Sequence, residues 1–200
     1  MRKLKFLILD KSEHLITIIA KIVDANILKE LINRGFKRMI ALSGPYSELY
    51  VVNEEQFMFI LNILNNTNRH PYCAGIYVAK IDKKVNGKEP IEEKDIRISL
   101  TFAELVFTKF NLRKSIVVIN DWGEKLALYG RDIMAGSIID MYPPILKGKL
   151  VIIANRINEF IGFGTPLYNY NEIIKLRNKQ PTQIVIRNEV DLGWYLRKGG

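Results

Sequence analysis

From Ser115 onward the chain is a series of short apolar segments broken by glycine, and this pattern constrains its fold more than any other feature. The segments are Ser115–Ile119, Leu150–Ile153, Ile161–Gly164 and Gln183–Ile186. Each has the length of a strand and sits between turn residues. Strands this short, with glycine at the breaks, point to a small closed or nearly closed β-structure rather than a parallel sheet.

The chain has 200 residues, enough for one or two compact domains with a proper core. Its composition, 48% hydrophobic and 26% charged, is that of an ordered globular protein. Thirty Lys and Arg against 21 Asp and Glu leave a net charge of +9. A surplus of that size favours a polyanionic partner, because each phosphate neutralised releases condensed counterions. Cys73 is the single cysteine and forms no internal disulfide, in keeping with a reducing, cytoplasmic setting. No apolar stretch is long enough to cross a bilayer, so no membrane is expected. Leu7–Leu9 is stopped by Asp10, Lys11 and Glu13 and reads as part of the fold, not as a leader.

The first half reads as mixed α and β. Apolar residues recur at helical spacing from Leu15 to Leu31, with a break near Asp24-Ala25-Asn26, and Arg34-Gly35 ends that unit as a helix C-terminus should. Gly44-Pro45 marks a turn, Leu49–Val52 a strand, and Asn53 caps a helix carrying Phe57, Ile60, Leu61 and Leu64 on one stripe. Cys73–Ile81 alternates as a strand. The charged stretch Asp82–Asp95 holds the hairpin signal Asn86-Gly87, Arg97–Leu100 resumes a strand, and Phe102–Phe110 is a short amphipathic helix. Asn111–Lys114 is the expected boundary, giving domains 1–112 and 113–200.

No catalytic constellation emerges. His14 and His70 are the only histidines, and His70 with Cys73 lacks the second pair of ligands that a structural zinc needs. Cys73 is expected to be a buried strand cysteine. Gly162-Phe163-Gly164 is too short for a dinucleotide fingerprint and suits tight backbone packing at a strand bend. Glu54-Glu55 suits a helix N-terminus and Glu92-Glu93 a solvated loop. No enzyme activity, cofactor or metal is therefore expected.

RNA recognition needs less: cations that meet phosphates, close backbone approach, and some aromatic surface. The stretch Thr165–Pro181 reads as a loop in which Lys175, Arg177 and Lys179 alternate along one edge, either extending a phosphate track or forming a solvated face. Trp194 and Tyr195 fall on opposite faces if the closing segment is a strand, which leaves Trp194 as the better candidate for exposure and base stacking.

Leu128-Tyr129-Gly130 leading into Ile133, then Gly136, Ile152–Ala154, Gly162–Gly164, and Asp191-Leu192-Gly193 with Tyr195 resemble a PUA domain, a small RNA-binding barrel. With Leu49–Val52, Cys73–Ile81 and Arg97–Leu105 ahead of it, the chain resembles the Nip-seven family of ribosome-assembly factors in its archaeal form. The resemblance implies an α+β two-domain fold, with an N-terminal antiparallel α/β pre-PUA domain and a C-terminal PUA pseudo-β-barrel. It implies that Arg131, Ala135 and Gly136 line one wall of an RNA groove, and that Arg197 and Lys198, ending the final strand, line the other. The Thr165–Pro181 stretch is somewhat longer than its usual counterpart.

The function so implied is that of a non-enzymatic RNA-binding factor in large-subunit ribosomal RNA maturation, with precursor rRNA as ligand and ribosome-assembly or exosome proteins as candidate partners. The alternatives are an RNA-modifying enzyme subunit with an unfamiliar N-terminal catalytic domain, and a pure protein adaptor.

Overall fold

The computed structural model describes residues 5–8, 25–43, 47–67, 73–82, 92–109, 114–194 and 197. The expected helix over 15–24, the Asn86-Gly87 turn, His70, Tyr195 and Lys198 lie outside the described residues. The chain divides into two compact units, Met1–Phe102 and Ala103–Gly200.

The first unit is built on a five-stranded antiparallel sheet of β1 (Lys5–Ile8), β2 (Arg38–Ser43), β3 (Ser47–Val52), β4 (Ile76–Ile81) and β5 (Ile96–Ile98), each strand pairing with the next in sequence. Met39, Ile40, Ala41 and Leu42 are buried in succession, as are Leu49 to Val52, so the central strands are covered on both faces. Ile40, Leu42, Tyr50 and Val52 pack with Phe57 and Ile60 of α2 (Glu54–Thr67), while α1 (Ala25–Asn33) contributes the buried Leu31. Asn53 starts α2 as expected, in a reciprocal cap: its Oδ1 accepts from Gln56 N at 2.8 Å, and its own N–H donates to Gln56 Oε1 at 3.1 Å. Ser99 Oγ likewise accepts from Phe102 N at 3.0 Å at the start of α3 (Leu100–Thr108). Cys73 is exposed rather than buried, because β4 begins three residues later at Ile76.

The second unit holds β6 (Ile116–Ile119), α4 (Asp121–Leu128), β7 (Ile133–Met134), β8 (Ile138–Tyr142), β9 (Val151–Ala154), β10 (Phe160–Pro166), α5 (Tyr170–Lys179) and β11 (Ile184–Asp191). Its sheet runs β7-β11-β10-β9-β6-β8, antiparallel except for β6 beside β9. The two edge strands are joined by residues 135–137 alone. Laid flat, six strands would hold their edges about 24 Å apart, but the four peptide steps from Met134 to Ile138 reach at most about 14 Å. The sheet must curl, and it forms a half-barrel around Val117, Ile119, Ile138, Val151, Ile153, Ile161, Val185 and Ile186. Gly162 and Gly164 lie flat against the backbone of β11, where a Cβ would strike Val190 O and Arg187 O, and the β10–β11 register slips between Phe163 and Gly164.

Two sequence expectations are overturned here. Residues 170–179 form a helix, not part of an open loop. Asn169 caps it, with its backbone N–H donating to Glu172 Oε2 at 2.8 Å. The closing segment is not a continuous strand either. β11 stops at Asp191, and Trp194 and Arg197 are helical, with Arg197 N donating to Gly193 O at 3.1 Å.

Candidate nucleic-acid interface

The geometry of one helix end organises the most featured surface of the second unit. Asn120 caps α4 through Oδ1, which accepts from Gly123 N at 2.8 Å. Gly123 has no room for a side chain because Ser137 lies against it. At the other end Gly130 adopts φ +76°, donating to Ala127 O at 2.8 Å while Arg131 N donates to Leu126 O at 2.9 Å. This is a Schellman closure, and glycine supplies its left-handed residue without steric cost.

That closure leaves Leu128 O open, and residues from β11 and beyond bond to it and to the carbonyls on either side. Asn188 Nδ2 donates to Ala127 O at 2.9 Å and to Arg131 O at 3.2 Å. Arg197 Nη1 donates to Leu128 O. Asp191, only 2% exposed, then holds the Arg197 guanidinium with both oxygens, at 3.0 and 2.9 Å. The hydrogen bond to Asp191 raises the Arg197 pKa still further, so its charge is fixed at every accessible pH. The guanidinium passes where Gly130 and Gly193 lack side chains: a Cβ on either would lie 2.9 or 2.8 Å from its nitrogens. Tyr129-Gly130, Asp191-Leu192-Gly193 and Arg197, spread over nearly seventy residues, thus form one lock on the end of α4.

Residues 115–200 match the family model of the UPF0113 PUA domain. These residues of the second unit form a PUA domain. A UPF0113 protein of Archaeoglobus fulgidus is 27% identical over 159 residues, covering 80% of this chain and 78% of the relative. Two solved structures share the fold. One is a hypothetical protein of Pyrococcus horikoshii OT3, at 13% identity and TM-score 0.58, covering 96% of this chain and 99% of that one. The other is a PUA domain of Aeropyrum pernix K1, at 11% identity and TM-score 0.51, covering 97% and 89%.

Within the PUA domain the expected site residues separate into groups. Arg131 is exposed directly beyond the lock, and Gly136 is exposed with its N–H donating to Pro181 O at 2.8 Å. Ala135 is fully buried, so its side chain lines the core and no groove wall. Lys175 and Lys179 stand one turn apart on the solvent face of α5. Arg177 does not share that edge, because helical phase turns it toward the side of buried Ile173, where Nη2 donates to Ile139 O at 3.3 Å. Trp194 is exposed, but on a helical turn rather than a strand. Arg197 is engaged by Asp191.

The sequence reading missed Trp122, Lys125 and Tyr129. Trp122 and Tyr129 are 64% and 73% exposed, and Lys125 is exposed between them. The i, i+3, i+7 spacing that places all three on one outward stripe was legible once α4 was assigned. The charge surplus is shared between the two units, so it does not by itself assign an interface. Among the described residues no group of three or more His, Cys, Asp and Glu could hold a metal ion, and no helix is long and apolar enough to cross a membrane.

Proposed function

We propose that the chain is a non-enzymatic RNA-binding factor acting in the maturation of large-subunit ribosomal RNA. In this reading it holds precursor RNA on the PUA domain, around the end of α4. The observation that carries the reading is the PUA fold itself, with Arg131 exposed beside the glycine-lined lock. The net charge of +9 supports it, since phosphate contacts dominate RNA affinity. So does the order of both units, which resembles the Nip-seven family. The first unit serves as a protein-docking surface for ribosome-assembly or exosome components, and Met58 and Phe59, exposed on the outer side of α2, favour that role.

Crosslinking in cells followed by sequencing of the bound RNA tests the proposal. Precursor large-subunit rRNA is the expected ligand. Recovery of unrelated RNA alone, or of none above background, overturns it.

A further inference from the structure

The outer face of α4 carries two large aromatic rings that contribute nothing to the core. Trp122 and Tyr129 are 64% and 73% exposed, and two helical turns separate them. At about 100° per residue, Trp122, Lys125 and Tyr129 stay within about 60° of one another around the helix. The ring-bearing positions lie about 10 Å apart along the axis. Both residues are mostly exposed, so most of their apolar area gives no folding benefit.

The helix that presents them is unusually well held. Asn120 fixes its first turn, and the Schellman closure, Asn188 and Arg197 fix its last. The rings are therefore displayed from a rigid backbone. The charges around them are arranged to one end. Glu124 is turned to the opposite side, where Asn155 Nδ2 donates to it at 3.3 Å. Asp121 lies 3.9 Å from the Arg156 guanidinium. The stripe itself presents ring, cation, ring, and Arg131 follows just beyond.

Resting on the RNA-binding reading above, we propose that this face of α4 is a base-stacking platform for unpaired RNA. Trp122 and Tyr129 each take one splayed base, and Lys125 meets the phosphate of the nucleotides that span them. Any base offers a π-face, so such a platform tolerates sequence. A separation of about 10 Å is some three times the base rise within a stacked strand. That spacing leaves room for two unpaired bases between the rings, whereas the bases of a paired helix present their faces to one another and not to either ring. Interruption of the apolar surface by a lysine favours a nucleic acid over a protein ligand.

The test uses the full chain with Trp194→Phe, which leaves Trp122 as the sole tryptophan. Three probes of equal charge are compared: a single-stranded RNA, the same backbone without bases, and a hairpin duplex. Trp122 emission should be quenched by the single strand alone. In the unaltered background, Trp122→Ala and Tyr129→Ala should each weaken single-strand binding by about five- to a hundred-fold, leaving the log–log salt slope unchanged. Trp122→Phe should keep most of the affinity. Alanine is the best helix former, so α4 persists in these variants, and circular dichroism reports it. If the Ala–Ala double variant binds the single strand like the parent, the platform is refuted and the RNA-binding reading stands. Equal quenching by the baseless backbone or the duplex also refutes it. Failure of the parent to bind any of the three with salt dependence brings down both.

Discussion

Asn155 offers a sharp test of how the loop between β9 and β10 is tied to α4. It is 4% exposed and uses its whole amide: Oδ1 accepts from Ile157 N at 3.2 Å and Glu159 N at 2.8 Å, while Nδ2 donates to Glu159 Oε2 at 2.9 Å and Glu124 Oε1 at 3.3 Å. Asn155→Ala frees two backbone donors at about 1 kcal/mol each and loses the donor side as well, for a total of about 2–3 kcal/mol. Asn155→Asp keeps both accepted bonds but places a third carboxylate against two others. Its folded-state pKa is then raised, so the penalty grows as pH rises through the usual carboxylate range and fades below about pH 4. Both tryptophans lie in the PUA domain, so their emission during urea unfolding reports that unit alone. With a slope of about 1–1.5 kcal/mol per molar, the alanine variant should lose about 2 M of its midpoint. At neutral pH the aspartate variant should match or exceed that loss, and at pH 4 it should become the more stable of the two. An aspartate variant as stable as the parent at pH 7, or one that weakens on acidification relative to alanine, would refute the assigned hydrogen bonds.

Three further outcomes are expected. In Gly193→Ala the added methyl overlaps Leu128 O and lies 2.8 Å from Arg197 Nη1, so the same urea titration should show a loss of about 2–3 kcal/mol. Arg131→Gln should flatten the log–log salt dependence of RNA binding by about 0.7 without moving the unfolding midpoint, whereas Arg197→Gln should lower the midpoint and leave the slope alone, since Asp191 already balances that charge. Burial, and then the neighbouring Glu48 carboxylate that accepts its hydroxyl hydrogen bond at 3.0 Å, push the Tyr50 phenol up. Its contribution is full below about pH 10 and is lost as pH rises beyond that. In Tyr50→Phe, circular dichroism of the first unit should therefore hold to higher pH than in the parent.

The strands of the PUA domain were legible because β6, β9, β10 and β11 are apolar runs bounded by turn residues, and Asn53 announced α2 by its capping chemistry. α5 escaped because Tyr170–Lys179 is mostly polar and buries only Ile173 fully, so its periodicity is faint. The signal that did exist was Asn169 three residues before Glu172. β2 was not read at all: four consecutive buried residues between a helix end and a turn carry no alternation. The lock could not have been found from local pattern. Asp191 and Arg197 meet only because β11 stops and the chain turns helical, and the carbonyl they serve belongs to Leu128. The resemblance places Arg197 on the groove wall as a contact to RNA, and only the fold shows its charge to be engaged by Asp191.

The strand order also sets how each unit can assemble. In the first, every strand pairs with its predecessor, so the sheet grows by local additions. In the second, the latest strand, β11, lies between β7 and β10, and among the described residues β7 pairs with no other strand. Arg197 arrives later still. Closure of the half-barrel therefore waits on pairings some fifty residues apart in sequence, which places its folding toward the slow, millisecond-to-second end. A ribosome paused before Ile184 would display a finished first sheet and an open second one, its strand edges available to any neighbouring chain.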